Sequence, residues 1–283
     1  MGCKDWLVAL PFAAVCIAGC GQKAASPVQE ETEVDSLLLI NESDTLSVTE
    51  ETEEKMPEKA DGTFDDFLFN FVRSERLQLE RVQFPLPVIM ADSTRKLMNK
   101  DEWTDEFYFL SDADFYTVLW NTEQQIEEEK RDTACHVVSV DNILLVSQEL
   151  RRYDFVKEQG KWMLVRMRLL PIDYGDTGDF LTFYSKFASD SLYCEEHITP
   201  HLKVNLSDPV DEMERIEGTI EREQFPLFCP DVPDVSISNI RYGQPYGDSL
   251  RMVMQKTSAG NEMQEIFTFE KGVRGWRLVK YEN

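Results

Sequence analysis

The chain has 283 residues, 53 acidic against 29 basic, and a formal net charge of −24. That balance excludes recognition of a nucleic-acid backbone, which needs a basic stripe to displace counterions, and charge-driven adhesion to an anionic membrane surface. The 42% apolar and 11% aromatic content is enough for real cores, and the length suits one large or two small domains.

The first element is a leader over residues 1–19. Lys4 gives a positive start and Trp6 to Ala18 is an apolar stretch too short to span a bilayer comfortably. It ends in Ile17-Ala18-Gly19-Cys20, which resembles a bacterial lipobox: an aliphatic residue, two small residues and the cysteine that receives the lipid. The reading is a lipoprotein signal peptide whose removal leaves Cys20 carrying palmitate-type acyl chains; two or three such chains anchor stably. Gly21, rather than an Asp, follows Cys20, so the expected address is the outer membrane of a Gram-negative envelope, on its periplasmic side or at the surface. The membrane is then a partner through the anchor. Cys135, Cys194 and Cys229 remain; the last two share one half of the chain, either as buried free thiols or as a pair.

Residues 20–63 read as the lipidated cysteine and an acidic, disordered tether. Positions 21–63 hold twelve acids, three lysines and no aromatic residue, too little apolar surface to offset ordering. Asp35-Ser36-Leu37 and Asp44-Thr45-Leu46 resemble the acceptor motif of certain bacterial O-glycosylation systems, as do Asp190-Ser191-Leu192 and Asp248-Ser249-Leu250.

The remainder divides into 64–172 and 173–283, two copies of one α+β domain. Phe64, Phe67 and Phe71 match Phe180, Phe183 and Phe187 at an offset of 116, and their spacing puts three rings on one helix face. Pro85 and Pro87, and Pro200 in the second copy, stop these helical runs. At the other end, Tyr153-Asp-Phe155 leads to Trp162 as Phe267-Thr-Phe269 leads to Trp276, seven residues from aromatic to Trp in both. Each is a hairpin with a Gly-containing turn. Between these anchors, Phe107–Trp120 reads as strand or helix and Ile126–Arg131 as helix. Asp211 reads as the cap of a helix running to about Arg222, and Val235–Tyr242 as a strand. Leu250–Lys256 and Met263–Phe269 read as paired strands.

A helical start, strands and a Trp-bearing hairpin together resemble the nuclear-transport-factor-two-like fold, in which helices pack into the concave face of a curved, mostly antiparallel sheet to form a cone. The lipobox, the two Phe-x2-Phe-x3-Phe starts, Phe84-Pro85-Leu86, Phe225-Pro226-Leu227, Tyr242-Gly243-Gln244-Pro245-Tyr246 and the Trp hairpins resemble a bacterial lipoprotein family, domain of unknown function 4348, with two such domains in tandem. The resemblance implies no activity.

Nucleotide loops, the Gly-x-Ser-x-Gly elbow and His-Glu-x-x-His do not occur. Cys194, His197 and His201 have metal-ligand spacing, but their first-half counterparts are Gln78, Arg81 and Pro85, so the slots read as a helix margin. Asp173, Asp176 and Asp179 lack the ligand order of a calcium loop, and Cys135-His136 would point to opposite faces of a strand. Asp114, Tyr116 and Tyr153 fit a carboxylate–tyrosine mechanism only if they converge. No catalytic residue, metal or cofactor is therefore assigned. The residues expected at a ligand or partner surface are Tyr242, Gln244 and Tyr246, in a polar-aromatic turn, with Trp276. The leading function is a non-enzymatic, lipid-anchored envelope module that binds a small apolar or glycan-like ligand or a protein. The alternatives are an isomerase- or dehydratase-like enzyme with its site in a cone, and a structural protein of envelope assembly.

Overall fold

Phe64, Phe67, Leu68 and Phe71 fall on one face of α1 (Phe64–Phe71) and are buried there, while Thr63 caps the helix by accepting the Asp66 amide at 3.1 Å. The computed structural model describes residues 61–283 except 105, 112, 130–134, 209, 211–213, 230, 248–249 and 259–263; Cys20, the tether and its two Asp-Ser/Thr-Leu motifs lie outside them. After α1 come α2 (Glu75–Arg81), β1 (Leu86–Ile89), β2 (Arg95–Met98), α3 (Tyr108–Ser111), β3 (Phe115–Trp120) and α4 (Glu123–Glu129). The first half closes with β4 (Val137–Leu144), β5 (Glu149–Glu158) and β6 (Lys161–Pro171). The second half runs α5 (Gly178–Ser189), α6 (Ser191–Glu196), β7 (Ile198–Ser207), β8 (Arg215–Glu221), α7 (Phe225–Phe228), β9 (Ser236–Arg241), β10 (Arg251–Ser258), β11 (Gln264–Gly272) and β12 (Gly275–Glu282). Gly178 opens α5 because a Cβ there would sit 2.1 Å from the Asp173 carbonyl oxygen.

The order of elements repeats, and so does the packing. Phe64 meets Trp162 edge-on at 5.0 Å and 78°, and Phe180 meets Trp276 at 5.3 Å and 75°. Phe155 and Phe269 complete the two aromatic cores. In both halves the helix face predicted from the Phe spacing fills the concavity of its sheet with the chain's own rings.

The sheets themselves are not partitioned by sequence. One has the order β2-β1-β6-β5-β4-β9, the other β3-β10-β11-β12-β7-β8. Each half thus lends its third strand to the other: β9 pairs with β4 from Ser139↔Arg241 to Leu144↔Ser236, and β3 pairs with β10 from Phe115↔Ser258 to Trp120↔Val253. The cores follow the exchange. Ile240 and Val253 join the first-half core, while Leu119, Ile143, Leu150 and Leu170 join the second.

The helix expected from Asp211 to about Arg222 is instead β8, antiparallel to β7. Ile216, Thr219 and Ile220 are β-branched, Gly218 weakens a helix interior, and β7 offers a pairing edge. The ambiguous stretch Phe107–Trp120 divides into α3 and β3.

A band of ion pairs stiffens the first sheet. Asp141 and Arg152 form a bidentate pair at 2.6 and 2.9 Å, with side chains 1% and 8% exposed. On β5, Asp154 accepts from Arg166, Arg168 and Ser139. Burial opposes ionisation of Asp154, but these three hydrogen bonds outweigh it and hold the carboxyl below its ordinary range. Arg241 on β9 pairs with Asp176 in the connector between the halves.

Candidate binding cleft

The Tyr242–Tyr246 turn is built where the exchanged strands cross. Gly243 takes a positive φ of 102°, which turns the chain back after β9. Tyr246 is only 2% exposed; its hydroxyl donates to the Leu119 carbonyl at 2.9 Å and accepts from the Asn239 amide at 3.1 Å. The Gln244 amide donates to the Tyr246 hydroxyl at 2.7 Å and to the Ile240 carbonyl at 3.0 Å. Tyr242 stacks on Trp120 at 6.2 Å and 7°, and its hydroxyl donates to Asp65. Trp276 donates its indole N–H to Asp179 at 2.7 Å. The structure therefore uses Tyr242, Gln244, Tyr246 and Trp276 as internal clips rather than as an open rim. A turn motif cannot reveal this, because the partners Leu119 and Asp65 lie in the other half. Tyr246 and Trp276 do meet on one small cleft of about 250 Å³, with Asp176, Asp179 and Lys271, but its charges are already paired to one another or to Arg241.

The larger opening is a cleft of about 920 Å³ at the mouth of the second aromatic core. Phe187, Ala188, Cys194, Phe225 and Cys229 form its apolar floor. The wall from the first half is Phe109, Ala113, Asp114 and Phe115, the approach to β3. The loop before β9 supplies Asp231, Val232, Pro233, Asp234 and Val235. Strand exchange is what brings these two loops together.

Comparison of the repeats explains why this mouth is open. In the first half Gln78 is buried, donates to the Phe71 carbonyl at 3.1 Å and accepts the Trp103 indole N–H at 3.1 Å. Trp103 follows a 3-10 turn with a capping box, Asn99–Glu102, as Phe225 follows one from Glu221 to Gln224. The second half therefore has Cys194 for Gln78 and Phe225 for Trp103. Two smaller side chains leave space that a hydrogen-bonded pair fills in the first half.

The Lys256–Glu265–Tyr281 group beside the cleft is internally satisfied. Lys256 on its wall pairs with Glu265 at 2.5 Å. The Tyr281 hydroxyl donates to the other Glu265 oxygen at 2.6 Å. Burial, with the Glu265 charge nearby, pushes the Cys229 thiol up to about 12, and burial pushes Cys194 up to about 11. Burial likewise holds the Tyr281 phenol above its ordinary value. Both cysteines are free thiols.

The remaining sequence candidates are dispersed. His197 caps α6 and stacks on Tyr193 at 3.8 Å, whereas His201 is exposed on β7 beside Glu221. Cys194, His197 and His201 do not converge, and the described residues contain no cluster of three metal-ligating side chains. Asp176 and Asp179 turn to Arg241 and to Lys271 with Trp276. Asp190 caps α6, so Asp190-Ser191-Leu192 is a helix start. Cys135 lies against the Tyr242 carbonyl while His136 is exposed. Asp114 lies at the cleft, but Tyr153 is buried in the first-half core, where its hydroxyl donates to Glu106 at 3.0 Å. No helix among the described residues is long and apolar enough to cross a membrane.

Two sheets with helices packed in their concave faces, occurring twice in order, define an NTF2-like α+β protein with tandem domains. The family profile for "Domain of unknown function (DUF4348)" matches residues 43–283, and the chain belongs to that family. The crystal structure of an NTF2-like protein from Bacteroides fragilis NCTC 9343 is similar, with 31% identity and a TM-score of 0.72 over 81% of this chain and 98% of that one. No curated protein matches.

Proposed function

We propose that this chain is a non-enzymatic binding module held in the bacterial outer membrane by acyl chains on Cys20, with its ligand seat in the cleft of the second domain. The observation that carries the reading is the asymmetry between the repeats: the Trp103–Gln78 pair plugs one mouth, and Cys194 with Phe225 leaves about 920 Å³ at the other. A cavity of that size, with an apolar floor and its acidic side chains at the rim, suits a small organic ligand. The absence of catalysis is supported by the neighbouring side chains. Glu265, beside the cleft, is bonded to Lys256 and Tyr281, burial keeps the two thiols protonated, and the lining carboxylates Asp114, Asp231 and Asp234 are exposed at the rim rather than set among the floor residues. The lipobox spacing supports the anchor.

The test has two arms. Metabolic labelling with an alkynyl fatty acid should mark the wild-type chain and not Cys20→Ala, which should leave the membrane fraction. Native mass spectrometry of protein purified from its source should show a small-molecule adduct that is lost in the double variant Cys194→Gln/Phe225→Trp, which rebuilds the first-half plug. An adduct equally present in that variant would remove the cleft from consideration.

A further inference from the structure

Resting on that reading of the cleft, we infer that its ligand is a cationic amphiphile: an apolar body carrying an amine or other permanent positive charge. The floor of Phe187, Ala188, Phe225 and Cys229 takes an apolar body. At the rim stand Asp114, delivered by the first half, and Asp231 and Asp234 from the loop before β9. All three are exposed, and none has an ion-pair partner among the described residues. Lys256, the cation lining the cleft, is neutralised by Glu265 and lies over the Phe115 ring at 5.1 Å. The field at the opening is therefore that of three carboxylates above an apolar floor, complementary to a positive head on an apolar body and repulsive to an anionic one. Apolar Val235 continues the floor to the exposed rim.

The mature chain carrying Cys20→Ser, which has no acyl chains of its own, is titrated calorimetrically with decyltrimethylammonium, decanoate and decyl maltoside, each below its micelle concentration. The cationic probe should bind most tightly, and its affinity should fall as salt is raised. Replacing all three rim acids (Asp114→Asn, Asp231→Asn, Asp234→Asn) should weaken the cationic probe about tenfold and leave the maltoside unchanged. Cys194→Gln/Phe225→Trp should abolish binding of both, with circular dichroism confirming that it folds. Equal affinities for cationic and neutral probes, or no loss in the triple variant, would overturn the ligand class while leaving the cleft as the seat. Binding that survives the plugged variant, or no binding of any probe, would overturn both.

Discussion

The Ser238 hydroxyl accepts the Thr117 amide N–H at 2.8 Å and donates to the Thr117 carbonyl at 3.0 Å, while the Thr117 hydroxyl donates to the Ser238 carbonyl. These residues occupy matching strands, β3 and β9, that have changed sheets, and they join them side chain to main chain where no ladder runs. Asn239 extends the seam by accepting the Leu119 amide at 2.9 Å. The bonds are buried, so losing one partner leaves the other unsatisfied in a dry interior.

Tyr246→Phe should therefore destabilise the protein by about 1–3 kcal/mol, since it strips a hydroxyl from both Leu119 and Asn239 without changing shape. Urea denaturation should show a lower midpoint with an unchanged slope; an unchanged midpoint would mean that the seam contributes little.

The halves should not fold apart. Residues 62–172 alone would leave β4 without β9 and β3 without β10, and 173–283 alone would suffer the converse. Each fragment should lack a cooperative thermal transition, and mixing them should restore one. A sharp transition in either fragment by itself would contradict this expectation.

Stability should rise with pH through the acid range, in part because of Asp154. Its folded carboxyl titrates below the unfolded value of about 3.9. The stabilisation it contributes is thus complete above the unfolded value and is lost as pH falls through the folded one. Asp154→Asn should flatten that acid limb. It should also cost roughly 2–4 kcal/mol at pH 7, less than a fully dry pair because Arg166 and Arg168 reach water. Denaturation curves of both proteins between pH 3 and 7 provide the check.

Cys194 and Cys229 should be slow thiols. A shift from 9.0 to about 11 cuts the thiolate fraction of Cys194 at neutral pH about a hundredfold, and Cys229 is lowered further besides being only 3% exposed. An aromatic disulfide reagent should modify Cys194 slowly and Cys229 only after denaturation. Rapid modification of both in the native protein would show that the floor of the cleft is wetter than its packing implies.

The repeat and the terminal hairpins were legible because period and spacing are local properties: three Phe residues on one helix face, and seven residues from an aromatic to a Trp. The exchange was not, because alternation marks β3 and β9 as strands without saying which edge each will join. The role of the Tyr242–Tyr246 turn was hidden for the same reason, since its acceptors Leu119 and Asp65 come from the other half. The open cleft left a trace. Aligning the repeats sets Cys194 against Gln78, a difference of side-chain volume and hydrogen bonding that becomes a cavity only when Trp103 and Phe225 are seen to occupy matching places.

The exchanged strand β3 also has a consequence for how the chain is made. The bond from Trp120 to Gln255 spans 135 residues, so β3 leaves the ribosome long before its neighbour exists. Until β10 arrives, the first half carries an unsatisfied edge rich in aromatic and β-branched residues, a state prone to sticking to other chains. Closure then requires contacts of high sequence separation, which form slowly. A newly made molecule would thus depend on an escort until its synthesis is complete, and a nonsense mutation anywhere before β10 would forfeit both domains instead of sparing the first.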